Sequence, residues 1–175
     1  MAADTDTTLR LHERRDAADL VRRRPFGLVR LPHGDAELAQ ALAHWSARRT
    51  GGQLPRPADV DAGALAGFGV ALQFVDVTPG AAEHYRLGRR VGRGPFEPDD
   101  FELGMRLGQI VPPALAQAVA EDYHVVASKG LPAYHHVTIR LGPVPLQYGR
   151  LILPLATDGR RVSALIVCTR LHPGP

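Results

Sequence analysis

The most constraining feature of the chain lies near its C-terminus. Three runs of strand character follow one another there: Y-H-H-V-T-I-R-L (134–141), Q-Y-G-R-L-I-L-P-L (147–155) and R-V-S-A-L-I-V-C-T-R-L (161–171). Only G-P-V-P-L and A-T-D-G-R separate them. Loops that short cannot carry a parallel crossover, so the three runs are predicted to form an antiparallel meander. Upstream, V-A-L-Q-F-V-D-V (70–77), a T-P-G turn and A-E-H-Y-R-L (82–87) read as a further antiparallel pair. Alternation along 134–141 sends His135, Val137, Ile139 and Leu141 toward an apolar layer, and His136, Thr138 and Arg140 toward solvent.

Helical signals surround these strands. In D-A-E-L-A-Q-A-L-A-H-W-S-A-R-R (35–49), Asp35 is a good N-cap, Ala is abundant, Arg48 and Arg49 suit the C-terminal dipole, and Gly51-Gly52 stop the helix. Leu38, Leu42 and Trp45 form one apolar stripe that must pack on the domain, on a second copy or on both, and it is the expected contact if the protein is a homodimer. A second helix is predicted from about Pro113 to Ser128, closed by Gly130 and Pro132. Leu115, Val119, Asp122 and Val126 share one of its faces, and His124 lies opposite, toward water. Residues 88–113 are irregular and interrupted by Gly and Pro, with a short helix expected between Asp99 and Gln109 that carries Phe101 and Met105.

Residues 1–33 hold seven Arg against five acids and break at R-R-R-P; they read either as a helix over Leu9–Arg23 or as a mobile arm. The expected organisation is thus an Arg-rich arm (1–33) and an α+β domain (34–172). In that domain the N-terminal helix 35–49 precedes one five-stranded antiparallel sheet with helices packed on one face.

Charge and cysteine usage narrow the function classes. With 21 basic and 18 acidic residues, the net charge of +3 leaves little excess for general nucleic-acid binding, so a nucleic-acid partner is not expected. No run approaches ~20 apolar residues and the N-terminus lacks an apolar signal core, which predicts a soluble, cytoplasmic protein with no membrane partner. Cys168 is the single cysteine, so an intrachain disulfide and a Cys zinc cluster are both excluded. Its place within V-S-A-L-I-V-C-T reads as core.

Five stretches, in order, resemble the single-domain PAS proteins common in alphaproteobacteria. They are W-S-A-R-R-T-G-G-Q-L-P-R-P-A-D-V-D (45–61), L-Q-F-V-D-V (72–77), H-Y-R-L-G (84–88), D-Y-H-V-V-A-S-K-G-L-P-A-Y (122–134) and R-L-I-L-P-L-A-T-D-G-R-R-V (150–162). The resemblance implies a PAS-like sheet and a non-enzymatic sensory or regulatory module, frequently dimeric, with a pocket between sheet and helices. It would bind a small apolar or mixed ligand or act through partner contact alone, passing its output to an unidentified effector protein. Tyr85, Leu87, Met105, Val119, His135 and Val137 are the expected pocket lining. The segment 88–112 departs from the family pattern, its helical connectors being shortened or broken by Gly and Pro.

No chemistry-bearing motif accompanies the resemblance. G-x-S-x-G, H-E-x-x-H and G-x-x-x-x-G-K-[ST] are absent. Arg89, Arg90 and Arg93 could hold an anion, against the commoner reading of a solvated cluster. Adjacent His135 and His136 point to opposite faces and cannot both bind one metal, so no metal site is expected. No cofactor is indicated: His124 faces water rather than a haem, and no cysteine near the helix supports a flavin adduct. Asp99-Asp100 and Glu121-Asp122 read as solvated helix-end charges. Two alternatives stay open. One is a cone-shaped α+β enzyme of the isomerase or dehydratase kind, with Asp76 as its carboxylate. The other is a nucleic-acid binder that uses the Arg-rich arm.

Overall fold

The computed structural model describes residues 20–28, 31–96, 101–140 and 143–172. Strand β1 (Val21–Phe26) leads into a single turn, α1 (Leu31–Gly34), and helix α2 (Ala36–Ser46). A short helix α3 (Ala62–Gly67) precedes strands β2 (Ala71–Asp76) and β3 (Arg86–Val91). Helix α4 (Pro113–Lys129) then connects to strands β4 (Ala133–Ile139), β5 (Leu146–Leu155) and β6 (Ala164–Leu171).

All five expected strands share one antiparallel sheet, and a sixth joins them, in the order β1-β4-β5-β6-β2-β3. The sixth is β1, V-R-R-R-P-F, paired with β4 from Val21 opposite Ile139 to Phe26 opposite Tyr134. The sequence reading gave this stretch to the arm. Its strand character is hidden because the outward positions carry Arg22 and Arg24, and Pro25 is tolerable only at an edge, where no ladder bond is asked of its nitrogen. Residues 1–19 of the expected arm, and most of the helix expected there, lie outside the described residues.

Strand β3 begins four residues later than expected. Ala82–His84 forms a 3-10 turn, and pairing runs from Asp76 opposite Arg86 to Leu72 opposite Val91. Beyond β3 the chain returns along the same edge, with Leu87 N–H bonded to the Met105 carbonyl at 2.9 Å and Leu107 N–H to the Tyr85 carbonyl at 2.9 Å. Of the short helix expected between Asp99 and Gln109, only a 3-10 turn at Leu107–Gln109 is present among the described residues.

Helices cover both faces of the sheet, which corrects the one-face expectation. On one face α4 presents Leu115, Val119, Tyr123 and Val126 to Val75, Leu87, Val137, Tyr148, Ile152 and Val167. On the other, α1, α2 and α3 bring Leu31, Leu38, Trp45 and Leu65 against Leu72, Leu151, Leu153, Ile166 and Cys168. Consecutive residues of β5 and β6 therefore bury alternately in two different cores. Residues 151–155 of β5 and 164–168 of β6 are apolar without a break for that reason, since neither stretch has a wet face.

Leu38 and Trp45, expected to meet a second copy, are instead 0% and 2% exposed inside the protomer. The Trp45 indole donates to the Pro154 carbonyl at 2.9 Å, beyond the point where β4 stops pairing at Ile152. Leu42 is partly buried against the same core. The stripe is spent on the sheet because the sheet has a second apolar face to cover, a face that the sequence reading left open.

Candidate functional site

Each face of the sheet buries one charge, and both charges lie against the same short row of residues: Arg150 belongs to it, and Asp35 meets it from the start of α2. In register, His135-His136 of β4 stands across from Arg150-Gly149 of β5, which stands across from Thr169-Arg170 of β6. Because side chains alternate, His135, Arg150 and Thr169 point to the α4 face, while His136, Gly149 and Arg170 point to the α2 face. The sequence expectation that the two histidines part company holds.

On the α4 face, Arg150 is 2% exposed. Its Nη2 is paired with Asp122 Oδ2 of α4, and its guanidinium stands 5.9 Å from the Tyr123 ring centre. Asp122 also accepts from Arg23 Nη1 of β1 at 2.9 Å, and Arg23 reaches Glu121 at 2.9 Å and the Ala118 carbonyl at 2.7 Å. Glu121 and Asp122 are thus ion-paired and not merely solvated. One arginine of the R-R-R run is likewise committed to α4. Among the described residues, the Arg150 Nε and the His135 Nδ1 are buried with no hydrogen-bond partner. Burial, followed by the charge of Arg150, pushes the His135 imidazole down to about 4.

Beside Arg150 lies a cavity of about 60 Å³. Its wall is largely aromatic and aliphatic: Phe96, Phe101, Val119, Tyr123, Tyr148 and Leu87. Of the expected lining, Leu87 and Val119 border it. Tyr85 and Val137 are buried in the same core, and Met105 packs against that core. His135 shares the face without bordering the cavity. The Tyr85 hydroxyl instead sits 3.1 Å from His124 Nδ1 along a separate open groove, and His124 is exposed, as the helical wheel placed it.

Sequence reasoning missed Arg150, Tyr123 and Tyr148. An arginine inside an apolar strand, Q-Y-G-R-L-I-L, was the available signal. The Arg89–Arg93 cluster does not converge: Arg89 stands over the Phe74 ring at 5.2 Å, while Arg90 donates to the Phe96 carbonyl at 2.8 Å. Asp76 serves its own turn, accepting from Thr78 N–H at 2.9 Å and the Thr78 hydroxyl at 2.7 Å. It does not border the cavity. Asp99 and Asp100 lie outside the described residues.

On the α2 face the buried charge is Asp35, which is fully enclosed. Although it is the N-cap residue of α2, its side chain caps no backbone N–H. It turns into the sheet, where it accepts from the Tyr134 hydroxyl and, at 2.8 Å, from His172 Nε2. His136 Nε2 stands 3.5 Å from Oδ2 and Arg170 Nη1 3.5 Å from Oδ1, and Glu37 draws Arg170 outward at 3.0 Å. Burial alone would raise the Asp35 carboxyl; the hydrogen bonds from Tyr134 and His172 outweigh it and hold the group below its ordinary value. Gly149 provides the space, because a Cβ there would overlap Asp35 Oδ2 and stand 2.9 Å from Leu38 Cδ1. His136 was expected in solvent; its side chain is 39% exposed and tied to this cluster.

A scan against protein-family models gave no match, and searches of curated proteins and of solved structures returned none either.

Proposed function

We propose that the protein is a PAS-type sensory or regulatory module, without catalysis of its own, that binds a small molecule of mixed polarity between α4 and the sheet and signals to an effector protein. The observation that carries this reading is the buried Arg150 side chain bordering an aromatic cavity, its Nε–H unpartnered among the described residues. A buried charged donor without an acceptor is costly, and a ligand oxygen placed there would relieve it. About 60 Å³ gives room for roughly four waters, hence for a ligand of about four to six non-hydrogen atoms. A short-chain carboxylate has the right size, an acceptor for Arg150 and an apolar tail for Phe96, Val119 and Tyr148.

Two features weigh against the alternatives. The enzyme reading needs a cavity carboxylate; among the described residues none lines the cavity, and Asp122, which meets Arg150, is already bound by two arginines. The nucleic-acid reading loses one arginine of the R-R-R run, because Arg23 is held by α4.

The test is native mass spectrometry of freshly purified protein for a retained small molecule, followed by calorimetric titration with acetate, butyrate and benzoate. The reading predicts that butyrate binds best, that benzoate is excluded by size, and that Arg150→Met abolishes binding while Val119→Trp fills the seat. Absence of a retained molecule together with no heat from any of the three acids would defeat it.

A further inference from the structure

The α2-face cluster carries an inference of its own, independent of the cavity. We propose that Asp35, His136 and His172 form a binding site for a divalent transition-metal ion, with zinc the type. Their ligand atoms lie within 4.8 Å of one another. They come from three separate places: the N-terminus of α2, the middle of β4 and the residue just past β6. One carboxylate and two imidazoles are a donor set that suits zinc and iron(II), and three protein ligands leave at least one position for water. That position falls on the outer side, where the His136 and His172 side chains are 39% and 21% exposed and the Asp35 side chain is 0%.

Two observations support a built site over a chance meeting of side chains. Gly149 is the residue of β5 opposite His136, and a side chain there would occupy the carboxylate's place. The sheet is thus cut away under Asp35. In addition, the Tyr134 hydroxyl lies 2.5 Å from His136 Nε2 and bonds the same Asp35 oxygen, so it already draws the two groups together and would give up its His136 contact when an ion takes that nitrogen.

Charge permits the ion. Arg170 and Glu37 neutralise each other, leaving the cluster the single negative charge of Asp35 with neutral imidazoles. Arg24, opposite His136 on β1, is exposed to water and screened. Bound metal would pin the start of α2 and the end of β6 to β4.

The experiment uses the full chain with any affinity tag removed and metal stripped by chelator, titrated with Zn²⁺ in a calorimeter and with Co²⁺ followed by its visible absorption. One equivalent per chain is expected. His136→Ala and His172→Ala should each weaken binding by more than about a hundredfold, beyond the roughly 10–100-fold that loss of an outer partner costs, whereas His124→Ala, on α4, should not change it. Both test positions are partly exposed, so the variants are expected to fold.

Melting temperature separates a metal site from a purely structural charge network. In the metal reading the gap between wild type and His172→Ala widens when Zn²⁺ is added, because only the wild type gains binding energy. Failure to bind one equivalent, equal affinity in the two cluster variants and the wild type, or a gap unchanged by Zn²⁺ would each overturn the proposal.

Discussion

On the α2 face the buried charge is a carboxylate, Asp35, approached by a tyrosine, two histidines and an arginine. On the α4 face it is a guanidinium, Arg150, met among the described residues by a single carboxylate and otherwise by aromatic rings and open space. The two sites are separated only by the thickness of one strand. A buried acceptor with more donors than it needs ties helix to sheet. A buried donor left short of acceptors keeps a seat for something else. The faces therefore differ in how fully their buried charge is satisfied, and substitutions can test that difference.

The largest effect is expected at Asp122→Ala. It leaves Arg150 buried without its counter-charge and should cost about 3–5 kcal/mol in urea unfolding. Arg150→Met removes the charge itself and should cost under about 1.5 kcal/mol. Equal costs for the two would erase the claimed asymmetry of the α4 face.

Acid comes next. His135 titrates near 4 when folded and near 6.5 when free, so between those values the unfolded state takes up a proton that the folded state refuses. Stability should fall by about 3 kcal/mol as pH drops through that window, with no further loss from this group below it. Asp35 behaves otherwise: its lowered carboxyl contributes stability above 3.8 and loses it only as pH falls through the still lower folded value. His135→Gln should flatten the upper part of the acid profile and leave the lower part in place.

How much of this could be read beforehand differs between backbone and site. Strand positions and their antiparallel sense were legible because period-2 patterns and short loops are local. So was the divergence of His135 and His136. The second covered face was also written in the chain, in L-I-L-P-L and A-L-I-V-C, because a strand with one wet side would alternate. With two faces to cover, Leu38 and Trp45 belong to the protomer's own core. Asp35 and His136 were not pairable in advance. They meet across 101 positions through the sheet register, and Asp35 already had a convincing local role as a helix cap. Arg23 was hidden in the same way, its neighbours making the whole run look like a solvated patch.

Smaller effects sharpen the contrast. Gly149→Ala forces a methyl group between β5 and Asp35 and should cost about 1–3 kcal/mol. A cost near zero would mean that the carboxylate has room to move, and the tight packing of that face would be disproved. Glu37→Gln, at the rim of the same cluster, should change stability by less than about 1 kcal/mol. A greater loss would show that the Arg170 pair belongs to the buried charge and not to the solvent side.

The sixth strand has a further consequence, for assembly. An unguarded sheet margin invites strands from other molecules, the route by which β proteins fuse into fibrils. Here one margin is β1, whose exposed Arg22, Arg24 and Pro25 offer repulsion and an incomplete set of donors. The opposite margin, β3, is sealed by the chain's own return past Met105 and Leu107. Trimming the arginine-rich leader back beyond Phe26 would therefore expose β4 as a bare docking rail, and insoluble aggregates on standing are the outcome to look for.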